Sequence, residues 1–163
     1  MVVSDAPVVT AEDLVGVVGD LWRSVSPDPA GEDAPVPGAW HPRGAPVLRG
    51  TIGIEGSWDG DLVVACGPGA AERWARAMLA LGSEEPVSET DALDVVAEVV
   101  NVVGGAVKAH CAAGGRLGLP DVGRGADPGS PPADALVVAL GLTWPDAPAD
   151  DPDAVFTLAL VHR

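Results

Sequence analysis

The chain has few basic residues, and this scarcity limits the partners that it can bind. Its 163 residues include nine lysines and arginines against 24 aspartates and glutamates, which gives a formal charge of −15. Nucleic acids and anionic membranes both attract proteins through basic surfaces. We therefore expect neither nucleic acid nor membrane as a partner, and a protein or small molecule of basic character fits better.

Cysteine and long apolar runs are also scarce. Cys66 and Cys111 are the only cysteines, and both fall at apolar positions, so we expect buried free thiols, as in a reducing compartment. No run approaches the roughly 20 apolar residues of a membrane span. The first residues lack the basic segment that begins a secretory signal peptide. These features predict a cytoplasmic protein.

The motifs of the common enzyme classes are missing as well. The histidines at 41, 110 and 162 are not spaced for a metal site. No nucleophile elbow, Walker A motif or dinucleotide fingerprint occurs, and serines are too few to favour a Ser-His-Asp triad. Five tryptophans are present, and we assign most of them to core packing. Any chemistry therefore rests on an arrangement outside these motifs.

The overall pattern predicts one α+β domain over residues 1–163. The hydrophobic fraction of 47% is enough for a core. Apolar periodicity predicts helices at 11–25 and 67–82, with Gly82 as the residue that ends the second one. The Pro/Gly-rich segments 26–46 and 118–133 are predicted to be irregular connections.

Alternating apolar residues predict strands at 47–55, 61–66, 135–144 and 154–162. Without a βαβ rhythm, they favour a mostly antiparallel sheet with helices packed on one face. The strand near 137–143 has one bulky face and one small-residue face. The small-residue face and the apolar C-terminal strand suggest a homodimer, although residues 11–25 could cover that face within one chain.

Residues 88–112 predict one long helix that is apolar around most of its circumference. Ser88, with Asp91 three residues later, resembles a capping box. One narrow polar stripe interrupts the apolar surface and spans roughly 100°. The polar stripe consists of Asp94, Glu98, Asn101, Gly105 and Lys108. Gly104 falls on the apolar side.

Two features distinguish the polar stripe from an ordinary solvated face. Asn101 is a mediocre helix former with no capping role at mid-helix, and Gly105 costs about 1 kcal/mol relative to alanine. An amide can orient a water molecule, a carboxylate can pair with a partner's lysine, and a glycine leaves room for close approach. The alternative is the solvated strip that amphipathic helices commonly have.

Residues 91–109 resemble the helix of the CheC/CheX/FliY family of chemotaxis phosphatases, and CheX in particular. The shared features are Glu-x-x-Asn at Glu98 and Asn101, the small pair Gly104–Gly105, and Lys108 shortly after. The family often has an asparagine where this chain has Ala106. CheC-like members repeat the motif on a first helix, but residues 12–24 contain no Glu-x-x-Asn, so one site is expected, as in CheX.

The resemblance implies a CheX-like fold and an enzyme that accelerates hydrolysis of the aspartyl phosphate of a response regulator. Asn101 would orient the attacking water, and Glu98 would pair with the regulator's lysine. Docking would involve Asp94, Gly104, Gly105 and Lys108. The protein would hold no cofactor or metal of its own, and the regulator would bring Mg²⁺. A non-catalytic module that binds a regulator, or a structural partner that uses the stripe for assembly, stays open as an alternative.

Overall fold

One antiparallel sheet organises the structure, a computed structural model that describes residues 9–28, 30–111, 114–129 and 131–163. Within these residues the sheet has seven strands, which are β1 (Val36–Pro37), β2 (Pro46–Glu55), β3 (Gly60–Cys66), β4 (Arg116–Leu117), β5 (Asp121–Ala126), β6 (Leu136–Thr143) and β7 (Phe156–His162). Their order in the sheet is β1-β6-β7-β3-β2, with β4 and β5 both paired to the far edge of β2. The four strands that alternation predicts are confirmed, with ends shifted by one or two residues.

Three α-helices occur in the described residues, and polar residues cap the starts of the first and third, whereas proline begins the second. They are α1 (Ala11–Val25), α2 (Pro68–Met78) and α3 (Glu89–Cys111). Before α1, the Thr10 hydroxyl accepts from the Asp13 backbone N–H at 3.1 Å, and the Asp13 carboxylate accepts from the Thr10 backbone N–H at 2.8 Å. The backbone bond, and then the bond from the Thr10 hydroxyl, lower the pKa of the Asp13 carboxyl. Before α3, the Ser88 hydroxyl accepts from the Asp91 backbone N–H at 3.1 Å, at the predicted start.

The three helices pack on one face of the sheet, which we call the helix face. Successive side chains along a strand point to opposite faces, and those on the helix face of the central strands are buried. On β2, β3 and β7 they include Ile52, Ile54, Leu62, Val64, Leu158 and Leu160. The helix α3 lies directly on β2, because a Cβ atom on Gly50 would be 3.2 Å from Val96 and 3.3 Å from Val100. The predicted α+β class, with helices on one face of an antiparallel sheet, is confirmed.

Aromatic side chains pack α1 and α2 against one end of the sheet. The Trp22 ring lies 5.1 Å from Trp74 and 5.3 Å from Trp144, both edge to face, and Trp74 lies 5.7 Å from Phe156. Such pairs contribute about 0.5–1.5 kcal/mol each beyond the burial of their area. The prediction that most tryptophans pack in the core is confirmed.

Two of the segments predicted to be irregular contain strands. Within 26–46, β1 pairs with the end of β6, with Val36 opposite Thr143. Within 118–133, β5 pairs with β2 over six residues, from Asp121 opposite Thr51 to Ala126 opposite Pro46. Because most of its side chains are exposed, β5 has no apolar alternation, and this is why its sequence does not look like a strand.

The second helix is shorter than predicted. It ends at Met78, and Ala80, not Gly82, adopts the left-handed conformation with φ of +51°. The Arg76 guanidinium donates to the carbonyl oxygens of Gly82 and Glu85, at 2.6 and 2.7 Å. These bonds satisfy carbonyl groups of the turn, which allows the chain to leave the helix one turn early.

Connecting segments cover part of the opposite face of the sheet, which we call the outer face. The Gly38 backbone N–H donates to the Gly141 carbonyl at 2.9 Å, and a Cβ atom on Gly141 would be 2.5 Å from the Ala39 carbonyl oxygen. Gly38 and Ala39 therefore cover the end of the small-residue face of β6 at Gly141 and Thr143. The alternative that residues 11–25 cover this face is wrong, because α1 packs on the helix face.

A buried histidine fastens this cover to the sheet. His41 Nδ1 lies 3.1 Å from the Asp127 carboxylate, and Nε2 donates to the Val155 carbonyl at 2.7 Å. Both His41 and Asp127 are 3% exposed. The pair thus joins three segments that are distant in sequence. Among the described residues, no helix is both long and apolar enough to cross a membrane.

Candidate functional site

Glu98 and Asn101 lie on the outward side of α3. Both are exposed, whereas Val99 and Val100 between them are fully buried against the core. Residues three apart on a helix are neighbours, with Cβ atoms about 5–6 Å apart. Neither side chain makes a hydrogen bond or an ion pair within the described part of the chain. The carboxylate and the amide are therefore adjacent and free to contact another molecule.

The two neighbouring glycines have different surroundings. A Cβ atom on Gly105 would meet no neighbouring atom within 4 Å, so Gly105 leaves open space one turn beyond Asn101. A Cβ atom on Gly104 would be 2.8 Å from Ile52 Cγ2 and 3.3 Å from Leu117 Cδ1. Gly104 thus allows α3 to approach the sheet closely, and it is not on the surface that carries Asn101.

The ends of the polar stripe differ in charge and in freedom. Asp94 is exposed one turn before Glu98, so two carboxylates stand in line on the helix. Lys108 is half-buried, and its ammonium donates to the Gly115 carbonyl at 3.3 Å, just past the end of α3. A lysine there stabilises the helix C-terminus. The structure therefore groups Asp94, Glu98, Asn101 and Gly105 as an open, acidic surface.

Neither cysteine is a candidate nucleophile. Burial raises the pKa of the Cys66 thiol to about 12, and burial also raises the pKa of the Cys111 thiol. The reactive form of cysteine is the thiolate, so both thiols are protonated near neutral pH. In the described residues, no three His, Cys, Asp or Glu side chains gather as they would around a metal ion.

The chain matches the model of a known protein family over residues 48–137, and that family is described as chemotaxis phosphatase CheX. The matched region begins in β2, includes all of α3 with the polar stripe, and ends in β6. It covers more than half of the 163 residues. This chain belongs to the CheX family. Membership places it broadly among the chemotaxis phosphatases, and it confirms the resemblance that the α3 residues carry.

Solved CheX structures have the same fold over nearly the whole chain. A chemotaxis protein CheX from Desulfovibrio desulfuricans is 18% identical, with a TM-score of 0.66, and the match covers 94% of this chain and 98% of that one. CheX from Vibrio vulnificus is 15% identical, with a TM-score of 0.66 and coverage of 94% and 95%. At these identities the likeness shows the fold.

A third structure is the CheX–CheY–BeF3–Mg²⁺ complex from Borrelia burgdorferi. It is 13% identical to this CheX-family chain, with a TM-score of 0.55 and coverage of 93% and 95%. Among curated proteins, none matches the chain.

The sequence gives little indication of a second feature, a cavity on the outer face. Its wall includes Trp40, Arg43 and Arg49, which come from two separate segments. Arg49 lies on β2 with its side chain on the outer face, and Trp40 and Arg43 lie in a Pro/Gly-rich connecting segment. The sequence shows only that basic residues are rare in this chain. Two arginines that line one surface therefore point to a possible role for that surface.

Proposed function

We propose that this protein accelerates hydrolysis of the aspartyl phosphate of a response regulator. The observation that carries the proposal is the exposed pair of Glu98 and Asn101 on α3, free of intramolecular bonds and next to the open space at Gly105. Asparagine in the middle of a helix lowers helix stability, and this one makes no hydrogen bond within the described residues that would compensate. Membership of the CheX family supports the same reading.

The proposed partner is a phosphorylated response regulator that brings its own Mg²⁺. In the Borrelia burgdorferi complex, a CheX is bound to CheY with BeF3 and Mg²⁺, and the analogy extends this type of partner to the present chain. The acidic surface around Asp94 and Glu98 would attract a partner that carries a lysine at its active site. The free thiols Cys66 and Cys111 suit the cytoplasmic location that we propose with this role.

The proposed mechanism uses positioning and electrostatics, with no covalent intermediate on this protein. Asn101 enters the regulator's active site and orients a water molecule for in-line attack on phosphorus. Glu98 pairs with the regulator's lysine and fixes the docking geometry. Gly105 leaves room for the regulator's backbone. In phosphoryl transfer of this kind, positioning and charge stabilisation account for nearly all of the catalysis.

The decisive experiment measures phosphate release from a phosphorylated CheY-type regulator with Mg²⁺, with and without this protein. We expect release to be faster with the protein and to saturate with regulator concentration. Saturable binding without faster release would support the non-catalytic binding module instead. If the protein neither binds the regulator nor speeds release, the polar stripe has only a structural or assembly role.

We also propose that the protein is a homodimer, although the structure changes the basis for this idea. The C-terminal strand β7 lies inside the sheet between β6 and β3, so it is not available as an edge. The first part of the β6 edge is available, because β1 pairs with Leu142 and Thr143 and the Gly38 backbone N–H bonds to Gly141, all at the far end of the strand. An uncovered apolar strand edge is a template for pairing with another chain.

Light scattering at high micromolar concentration tests the dimer. We expect a mass near twice the 16.3 kDa of one chain. Replacing Ala139 by proline should shift the mass toward that of the monomer, because proline is poorly accommodated in a paired strand. A monomer mass for the unmodified protein at that concentration would contradict the dimer.

A further inference from the structure

A cavity of roughly 660 Å³ lies on the outer face of the sheet, away from α3. Its floor is formed by outward side chains of β2, β3 and β7, among them Thr51, Val63 and Ala159. Its sides are formed by Trp40 and Arg43 on one connecting segment, and by residues 127–129 with two prolines on another. Ligand sites in proteins typically measure about 300–1,000 Å³, so this outer-face cavity is large enough for a small organic molecule.

The outer-face cavity is lined by two arginines, and in the described part of the chain these are the only arginines without a carboxylate partner. The chain has eight arginines, and six of them lie within 4 Å of an aspartate or glutamate oxygen. The remaining two, Arg43 and Arg49, both line the outer-face cavity. In a chain of charge −15, two guanidinium groups that lack a carboxylate partner and share one concave surface are uncommon.

The two acidic residues that line the same cavity already have partners. The Asp61 carboxylate forms an ion pair with Arg163, whose Nε lies 3.3 Å from Asp61 Oδ1. Asp127 is buried against His41, and its other carboxylate oxygen accepts from the Gly129 backbone N–H at 2.6 Å. Among the described residues, neither carboxylate lies within 4 Å of a guanidinium nitrogen of Arg43 or Arg49, so both guanidinium groups can bind an anion that enters the cavity.

Apart from Thr51 and Thr157, the rest of the wall is apolar. Val63, Ala65, Ala159 and Val161 stand side by side on the floor, and the half-buried Trp40 supplies a flat aromatic surface. Concave apolar walls with a few fixed charged groups are characteristic of small-molecule sites. Guanidinium groups bind carboxylates, sulfonates and phosphates through charge-assisted, often bidentate hydrogen bonds.

We propose that the outer-face cavity binds a small organic anion with an apolar body. Arg43 and Arg49 bind its anionic group, and the body lies on the floor of small aliphatic side chains beside Trp40. This site is separate from the phosphatase site, because residues 49, 51 and 63 point away from the face on which α3 packs. The two proposals therefore succeed or fail independently.

The aromatic sulfonate 1-anilinonaphthalene-8-sulfonate is a suitable probe, since its fluorescence rises in an apolar environment. We expect saturable binding to the folded protein, and at least a tenfold weaker affinity in the double variant Arg43→Gln and Arg49→Gln, as one lost charge-assisted contact implies. Val63→Phe should also weaken binding, because it fills the cavity floor. The control is Arg116→Gln, which changes an exposed arginine on β4 and should leave affinity unchanged.

Competition identifies the class of anion. Displacement of the probe by decanoate would indicate an aliphatic carboxylate, and displacement by adenosine monophosphate would indicate a nucleotide; either result supports the site. Equal probe affinity in the double arginine variant and the unmodified protein would overturn the proposal. So would a dimer that the double arginine variant converts to monomer, since a second copy of the chain would then occupy this surface.

Discussion

Asn101 is an exposed mid-helix amide whose side chain makes no hydrogen bond to another described residue. If it orients the attacking water, Asn101→Ala should lower assisted dephosphorylation by on the order of 10²-fold, as when one positioned polar group is lost from a reacting centre. The free energy of unfolding should change by no more than about 0.5 kcal/mol, because exposed positions tolerate substitution. Phosphate release and urea unfolding measure the two effects separately.

Thr90→Ala is a matched control for this variant, since Thr90 is exposed on the first turn of the same helix. It should leave phosphate release unchanged. A large loss of stability from Asn101→Ala would mean that the amide has a structural role. Normal phosphate release by the folded variant would exclude Asn101 from catalysis.

Glu98 should act on docking instead of chemistry. Glu98→Gln keeps the shape of the side chain and removes its charge, so we expect KM for the phosphorylated regulator to rise roughly tenfold at low salt while kcat changes little. Salt should reduce the difference between the two proteins, because the Debye length falls from about 10 Å at 0.1 M to about 3 Å at 1 M. A loss confined to kcat, independent of salt, would contradict a docking role.

At the scale of elements, the two adjacent glycines of α3 have different roles: one allows the helix to pack closely on the sheet, and the other leaves space on the exposed side. Gly105→Ala should stabilise the protein by up to about 1 kcal/mol, because it improves helix propensity and meets no neighbour. Gly104→Ala places a Cβ atom 2.8 Å from Ile52 Cγ2, and the strain should make it about 1–3 kcal/mol less stable than Gly105→Ala. Thermal unfolding of the two variants checks the order, and equal stabilities would contradict the close packing of α3 on β2.

A larger side chain at Gly105 tests whether the open space there is needed for binding of the regulator. Gly105→Leu should fold normally and yet weaken binding of the regulator, because leucine would occupy the space next to Asn101. Regulator binding that is unaffected by leucine at this position would show that the docking surface does not extend to this turn of the helix.

At the scale of the whole molecule, the buried pair of His41 and Asp127 connects the cover of the outer face to the sheet. His41→Phe removes the bond from His41 Nε2 to the Val155 carbonyl and leaves the buried Asp127 carboxylate beside an apolar ring, so we expect a loss of about 1–3 kcal/mol in the free energy of unfolding. Adding Asp127→Leu should restore part of this loss, because an apolar pair avoids the unpaired buried charge. Urea unfolding measures both.

His110→Phe is the control for the buried pair, since His110 is exposed near the end of α3; it should change stability by no more than about 0.5 kcal/mol. A His41→Phe protein as stable as the unmodified one would indicate that the cover contributes little to the fold. A double variant less stable than the single one would contradict the role assigned to Asp127.

The sequence alone determined the features that depend on local periodicity. The apolar surface of α3, its start at Ser88 and the exposed position of Glu98 and Asn101 all follow from 3.6-residue spacing. The hairpin of β2 and β3 follows from alternation around the turn at residues 56–60. Even the resemblance to the CheX family rests on residues within one helix, from Glu98 to Lys108, so it needed no knowledge of distant contacts.

The tertiary structure alone decided the features that depend on partners far apart in the chain. The strand β5 is mostly exposed, and only its hydrogen bonds to β2, some 70 residues earlier, make it a strand. Helical spacing places Gly104 on the apolar side of α3, but only the structure shows that it packs against Ile52 of β2, while Gly105 meets no neighbour. The outer-face cavity likewise exists because two connecting segments fold over the sheet and leave Arg43 and Arg49 without carboxylate partners. Hydrophobic periodicity describes one element at a time, whereas pairing, close packing and local charge arise when separate elements meet.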